Sequence, residues 1–457
     1  MGIQRRIIKS FILFLGDVAV FYAALFLMLA VRYRPDVFSH YVKIHIIPFS
    51  IIFGIWLIVF YVAGLYELRA VKNSPAFYDR FYKTFLLNAV VAILVFYLAP
   101  YFQITPRMNL FITLVLAFIL LLTFRWSAQG VMAARGASRV LFFGFSKEVT
   151  ELADFLKQNP QLGYLPMAVM TWGTEETPEN LPLKVFSFDH HLTHIVEDLG
   201  IEVIVASSEI KTNAALVNML FQVVPVGIPV VDFLSFYESA TGKIPVSQIG
   251  EVWFLENLIG IRKPAYEFLK RAVDIAAALL LGLPALPLMP VIACAVYLDT
   301  PGQVFYRQKR VGRHGRIMKI TKFRSMYVGA ESSGARWADK NDPRVTRVGR
   351  FLRKSRLDEL PQLWNVLKGD LSLIGPRPER PEFVELLTKE IPFYQMRHLA
   401  KPGLSGWAQI NFPYGASVED ALEKLQYELA YIKNRSVWLD LTIALRTIVI
   451  LVSREGR

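Results

Sequence analysis

The sequence predicts a membrane protein in three parts. An α-helical bundle of four spans covers residues 1–130, a doubly wound α/β module covers 138–260, and an α-rich (α+β) domain with a re-entrant membrane helix covers 265–457. Three observations predict this. Four apolar stretches of roughly bilayer length crowd the first third of the chain. Short apolar runs then alternate with helix-like stretches. A fifth apolar segment, residues 273–299, is interrupted by three prolines. Composition agrees, because 54% of the 457 residues are hydrophobic and 19% are charged, too apolar for an ordinary soluble enzyme.

The four spans fall at about residues 7–31, 44–66, 85–102 and 110–125. The first is too long for a signal peptide and lacks a small-residue cleavage site, so it is read as a helix that stays in the membrane. Arg5, Arg6, Lys9, Arg69, Lys72, Arg80, Lys83, Arg125, Arg135 and Arg139 flank one side, against Arg32, Arg34, Lys43 and Arg107 on the other. Ten cations against four put both ends of the bundle in the cytoplasm. The net charge of +13 on so apolar a chain points to anionic lipid or a phosphorylated substrate rather than nucleic acid. The single cysteine, Cys294, excludes a disulfide framework within the chain and fits a cytoplasm-facing protein.

In the middle part, "RVLFFGF", "YLPMAVM", "IEVIVAS" and "GIPVVDF" read as strands of a Rossmann-like sheet. The first turn carries Gly144, but Ser146 and Val149 stand where a dinucleotide fingerprint has its second and third glycines. No acid closes the second strand at 170–172, and the nearest, Glu175, lies beyond a glycine. The module is therefore read as structural or regulatory, without a nicotinamide cofactor. His190, His191 and His194, with Asp189, match no standard metal-ligand spacing and are read as surface polar residues.

The segment "VDIAAALLLGLPALPLMPVIACAVYLD" contains Pro284, Pro287 and Pro290, which should break a helix near its middle. A kinked fifth crossing would move everything after Asp299 to the far side. Lys270 and Arg271 precede the segment, however, and eight Lys/Arg follow between Arg307 and Arg324. Cations on both flanks favour a hairpin that enters and leaves by one face.

The chemistry-bearing stretch is "RKSRLDELPQLWNVLKGDLSLIGPRPERP", residues 353–381. Leu357, Leu360, Leu363, Val366 and Leu367 predict one buried helical stripe that stops at Gly369. Asp358, Gln362 and Asn365, spaced by four and three, share a polar stripe of that helix, with Glu359 one step round and Ser355 as cap. The bland alternative is that the two acids complement the helix dipole. Arg353, Arg377 and Arg380 flank them, and "IGPRPERP" is a proline-pinned loop able to hold a guanidinium fork at a fixed angle. A pyrophosphate substrate needs such arginines, a divalent cation and a carboxylate that holds the ion or attacks phosphorus. The chain carries no Walker motif, kinase signature or Ser/His/Asp elbow.

"KRAVDIAAALLLGLPALPLMPVIACAVYLDTPGQVFYRQKRVGRHG", "KITKFRSM", "NDPRVTRVGRFLRKSRLDELPQLWNVLKGDLSLIGPRPE" and "AKPGLSGWAQIN" together resemble the bacterial polyprenyl-phosphate hexose-1-phosphate transferases. The resemblance runs from about Lys270 to the end, and the bundle and α/β module before it look like the N-terminal half of larger family members. It implies transfer of a sugar 1-phosphate from a UDP-sugar to undecaprenyl phosphate, at the cytoplasmic face of the bacterial inner membrane, to start capsule, O-antigen or exopolysaccharide synthesis. It further implies that Asp358 is the nucleophile forming a phosphosugar ester and that Glu359 coordinates Mg²⁺. Lys322, Arg324, Arg353 and Arg377 match the family's basic positions near the nucleotide pyrophosphate, and Gln362, Asn365 and the loop 375–378 match its site walls. Pro287 matches the helix-breaking proline, although Leu286 stands where a serine is common. Glucose, galactose and N-acetylated donors are not distinguished, and the oligomeric state, a homodimer included, stays open.

The last apolar run, residues 437–452, is short for a span and holds Asp440 and Arg446, so an interfacial helix is expected. A non-catalytic scaffold or regulator of polysaccharide assembly is the alternative function, against which the intact acids and arginines speak. A transporter is disfavoured by the lack of charged residues at midplane.

Overall fold

The computed structural model describes residues 2–66, 75–98, 107–134, 137–172, 183–188, 191–207, 210, 213–258, 263–330, 342–412, 415 and 417–453. Arg69, Lys72, Arg135, Glu175, Asp189 and His190 lie outside them. The chain divides into two compact units, Met1–Thr241 and Gly242–Arg457.

The first unit opens with four helices, α1 (Gly2–Arg32), α2 (Pro35–Val62), α3 (Pro75–Leu98) and α4 (Arg107–Ala134). Among the described residues, three segments are helices long and apolar enough to cross a membrane: Ser10–Arg32, Pro35–Val62 and Met108–Ala128. Among the described residues α3 is not counted with them, and Asp79, Arg80 and Lys83 stand in its first turns. The expected third span falls within α3 up to residue 98 and outside the described residues beyond it. Aromatic packing fills the bundle, with Phe21 against Phe53 and Trp56 at ring separations of 5.2 Å. Gly16 lets α1 approach α4 closely, since a Cβ there would overlap the Phe124 ring. Arg125, fully buried, donates to Asp17 and to the Leu65 carbonyl, so the bundle's interior charge is paired.

The α/β module follows as β1 (Ser138–Phe143), α5 (Lys147–Gln158), β2 (Tyr164–Thr171), β3 (Lys184–Ser187), α6 (Leu192–Leu199), β4 (Val203–Ala206), α7 (Ala214–Phe221), β5 (Val230–Asp232) and α8 (Phe233–Thr241). The five strands are all parallel in the order β3-β2-β1-β4-β5, the doubly wound topology the alternating runs predict. Strand order reverses between β1 and β4, where Gly144 leaves β1 with φ +106°. A Cβ on Gly144 would come within 2.7 Å of Trp172 Cη2 and 2.8 Å of Ser207 Cβ. Trp172, just past β2, also lies against Phe143 at 5.4 Å. Ser146 caps α5 by accepting from Val149 N–H, which explains a serine at the second fingerprint position.

The second unit comprises α9 (Glu251–Leu258), α10 (Pro264–Ala285), α11 (Leu288–Asp299), β6 (Phe305–Val311), β7 (Ile317–Phe323), α12 (Arg347–Ser355), α13 (Gln362–Lys368), β8 (Ser372–Ile374), α14 (Pro381–Glu390), β9 (Gly403–Ser405), α15 (Trp407–Asn411), α16 (Val418–Asn434) and α17 (Val437–Ser453). β6 and β7 form an antiparallel hairpin, and β8 pairs with β9 in parallel. α10 and α11 meet at a 62° bend, with Leu286 and Pro287 at the break. Their outer faces leave Leu280, Leu283, Leu286, Val291 and Leu298 exposed. The inner faces divide the labour. Ala278 of α10 packs with Leu363 and Val366 of α13, while Ile292 and Val296 of α11 pack with Leu352 of α12 and Phe323 of β7.

The single helix expected around the acid pair is divided. Residues 357–368 do not form a single helix: α12 ends at Ser355, Arg356 turns into the left-handed region at φ +59°, and Leu357–Glu359 is a separate 3-10 turn before α13. Pro361 explains the break, because its ring excludes a helical bond back to Leu357. Ser355 is accordingly no cap for the acids; its Oγ donates back to the Phe351 carbonyl at 2.9 Å. Gly369 ends α13 at φ +96°, as the spacing predicts.

Candidate active site

Asp358 and Glu359 occupy the 3-10 turn between α12 and α13, so the two arms of the bent helix pair each support one side of the acid pair. Polar ties reinforce that support. Arg271 of α10 donates to the Val366 and Leu367 carbonyls at the end of α13, both at 2.6 Å. Asp299 at the end of α11 accepts from Val348 N–H at the start of α12, at 3.0 Å. Asp274 of α10, 3% exposed, accepts from Ser372 Oγ and Leu373 N–H of β8.

Glu359 is held by two cations on one oxygen. Lys322 Nζ of β7 donates to its Oε1 at 2.9 Å, and Arg377 Nη2 donates to the same atom at 3.1 Å. Asp358, 7% exposed, has no hydrogen-bond partner on Oδ1. The two carboxyls are driven apart. Burial pushes Asp358 above the ordinary carboxylate range and the Glu359 charge adds to it, against the pull of Lys322, Arg353 and Arg356. Burial acts on Glu359 in the same sense, but Lys322, Arg377 and Arg356 outweigh it and hold the group well below its usual range. Burial lowers Lys322, which Glu359 offsets in part. An acid pair whose environments differ this much is suited to two different roles.

Of the residues singled out from sequence, Asp358, Glu359, Lys322 and Arg377 come together. Arg353 Nε donates to Ser325 Oγ at 3.0 Å, and its charge also acts on Asp358. Asn365 serves as a latch, donating to the Lys319 carbonyl at 2.8 Å and accepting from Thr321 N–H, which ties α13 to β7. Gln362 is buried with Nε2 unpartnered. Arg324 turns to the end of α11, donating to the Thr300 carbonyl and, at 3.1 Å, to Thr300 Oγ1. Sequence reasoning passed over Arg356, although it stands two places before Asp358 in the quoted stretch.

The site offers two adjacent carboxylates, one with an unpartnered oxygen and one whose two cations share a single oxygen. No group of three or more His, Cys, Asp or Glu suited to a metal occurs among the described residues. Mg²⁺ takes one or two protein carboxylates and completes its shell with water and phosphate oxygens, so the donor set fits that ion.

Residues 265–454 match the family model described as bacterial sugar transferase. The chain is 44% identical over 232 residues to a UDP-N-acetylgalactosamine-undecaprenyl-phosphate N-acetylgalactosaminephosphotransferase of Aeromonas hydrophila, over 50% of this chain and 53% of that protein. It is 46% identical over 184 residues to a UDP-glucose:undecaprenyl-phosphate glucose-1-phosphate transferase of Escherichia coli (strain K12), over 39% of each chain. These matches span about half the length of the first relative and less of the second. A UDP-glucose:undecaprenyl-phosphate glucose-1-phosphate transferase of Caulobacter vibrioides is 40% identical over 194 residues, 42% of this chain and 73% of its own length. With the matched region enclosing the bent helix pair, the acid pair and the Arg377 loop, the chain belongs to the bacterial sugar transferase family.

Proposed function

We propose that the chain transfers a hexose 1-phosphate from a UDP-sugar to undecaprenyl phosphate through an ester on Asp358, releasing UMP. The observation that carries this reading is a buried carboxylate with a free oxygen, set beside a second carboxylate clamped by Lys322 and Arg377. In the first step an Asp358 oxygen attacks the phosphorus that bears the sugar, the bond to the bridging oxygen breaks, and UMP leaves. In the second a phosphate oxygen of the lipid attacks the same phosphorus and Asp358 is regenerated as a carboxylate. Lys322 and Arg377 orient Glu359 and, with Arg353 and Arg356, lower the cost of bringing a pyrophosphate against two acids. Glu359, with Asp358 beside it, would hold Mg²⁺, which neutralises phosphate charge when bound.

We read α10 and α11 as a re-entrant hairpin of the cytoplasmic leaflet, and the N-terminal bundle as crossing the membrane four times. α11 has 12 residues, about 18 Å at 1.5 Å per residue, against a hydrocarbon core of about 30 Å. The 62° bend, the exposed leucines and the cations on both flanks support that reading. It keeps the acid pair on the side where UDP-sugars are made and near the headgroup of a lipid in the same leaflet. α17 would lie along the interface. The product begins a surface polysaccharide, and the α/β module serves a structural or regulatory role.

The test is UMP release by the full-length protein from a panel of UDP-glucose, UDP-galactose and their N-acetylated forms, with and without undecaprenyl phosphate. One equivalent of UMP without lipid, with a phosphosugar adduct at Asp358 by mass spectrometry, is expected. Release that demands both substrates together under every condition refutes the two-step scheme.

A further inference from the structure

Four successive carbonyls in the loop that presents Arg377 are each taken by a donor. Gly403 N–H donates to Pro376 O at 2.9 Å, Arg397 Nη2 to Arg377 O at 2.9 Å, Arg310 Nη1 to Pro378 O at 3.0 Å, and Val311 N–H to Glu379 O at 2.8 Å. Pro376 and Pro378 have restricted φ and no N–H of their own. Two of these donors are backbone groups, which any sequence could supply. The other two are guanidiniums, and Arg397 is set apart by its burial: it is 6% exposed, and Glu428 of α16, 3% exposed, holds it on two oxygens at 2.7 and 2.8 Å.

A buried ion pair contributes little net stability once desolvation is counted, so packing alone is a weak account of it. Its geometry suggests a use. Arg397 spends Nε and one face of Nη2 on Glu428 and aims Nη2 at the carbonyl of the residue whose own guanidinium holds Glu359. The Arg377 side chain is 41% exposed and lies outside any helix or strand, so its aim depends on how its backbone is fixed. We infer that Arg397 and Glu428 are positioning residues for Arg377: the buried pair sets the Arg377 backbone, and through it the direction from which the guanidinium meets Glu359 and the substrate phosphates. This rests on the proposed function for the identity of the substrate, while the juxtaposition itself does not.

A double-mutant cycle tests it, because a residue that acts only through Arg377 loses its effect once Arg377 is truncated. Arg397→Lys and Glu428→Gln are each made alone and with Arg377→Ala in the full-length protein in lipid nanodiscs. Each is read on kcat/KM for UMP release and on Kd for UDP by calorimetry. Alone, either change should cost about tenfold or more, in line with the penalty for small misplacements of a catalytic group. In the Arg377→Ala background the same change should cost less than about twofold. Equal factors in both backgrounds would mean a merely structural pair and overturn the inference. Should Arg397→Lys lose its cooperative unfolding transition, the Glu428→Gln cycle decides by the same criterion. Coupling in Kd with no UMP release from any UDP-sugar refutes the proposed function and keeps the inference. Turnover without coupling does the reverse, and failure of the unaltered protein to bind UDP refutes both.

Discussion

Replacing Arg271 by methionine keeps an unbranched apolar stem and removes the two bonds that tie α10 to the end of α13. Both are short, 2.6 Å to Val366 O and 2.6 Å to Leu367 O, and both come from a charged donor. A hydrogen bond to a charged group contributes about 1.5–3 kcal/mol when its partner would otherwise stay buried, and less when water can replace it. Val366 is buried but its carbonyl keeps the Gly369 N–H, and Leu367 is partly open, so each lost bond counts at about the lower end of that range. Loss of a cation beside a helix C-terminus adds about 0.5 kcal/mol. The sum, about 3 kcal/mol, corresponds to roughly a hundredfold in the equilibrium between docked and undocked α13. Hydrogen exchange on the full-length protein in nanodiscs reads this directly. Amides of α13 should exchange about a hundredfold faster while those of α14 are unchanged, and UMP release should fall because the acid turn is joined to α13. Unaltered protection in α13 would show that α10 does not hold the acid pair, and the support ascribed to the bent helices would be wrong.

Asp358→Asn should abolish transfer and adduct formation with the unfolding transition unchanged; turnover at the original rate removes Asp358 as nucleophile. Glu359→Gln should raise the Mg²⁺ concentration needed for half-maximal UMP release at least tenfold, and an unchanged requirement would assign the ion elsewhere. Replacing Pro284, Pro287 and Pro290 together by alanine should lower lipid-dependent transfer more than single-turnover UMP release, because only the second step needs the polyprenyl phosphate. Equal losses would detach the bend from lipid access. Gly144→Ala should destabilise the α/β module by about 2 kcal/mol or more, through a positive φ of 106° and contact with Trp172 and Ser207, read as a lowered unfolding midpoint.

Much of this architecture is legible in residue patterns because periodicity reports burial. Alternating short runs located four of the five parallel strands, leaving out the short edge strand β3, and three prolines in one apolar segment located the bend at 286–287. The meeting of Arg377 with the acid pair was legible because both stand close together on one proline-pinned stretch. What stayed hidden depends on contacts distant in sequence. Leu357 to Val366 keep a helical stripe even though Arg356 and Pro361 divide the backbone, since a 3-10 turn and a helix can bury the same side chains. Arg324 carries a motif's charge yet faces the end of α11, and Asn365 matches a site wall yet latches β7. Arg397 and Glu428, 31 residues apart, follow no local pattern at all.

Trp172 gives the α/β module a property of its own. Doubly wound sheets that bind dinucleotides do so where strand order reverses, and ligand there adds to stability by an amount that rises with its free concentration. In this chain an indole from the end of β2 lies against the same turn, touching Gly144 beside Ser207. A side chain that is covalently part of the polypeptide has no concentration to vary. Its contribution to the packing around Gly144 is therefore set by the fold itself and not by mass action.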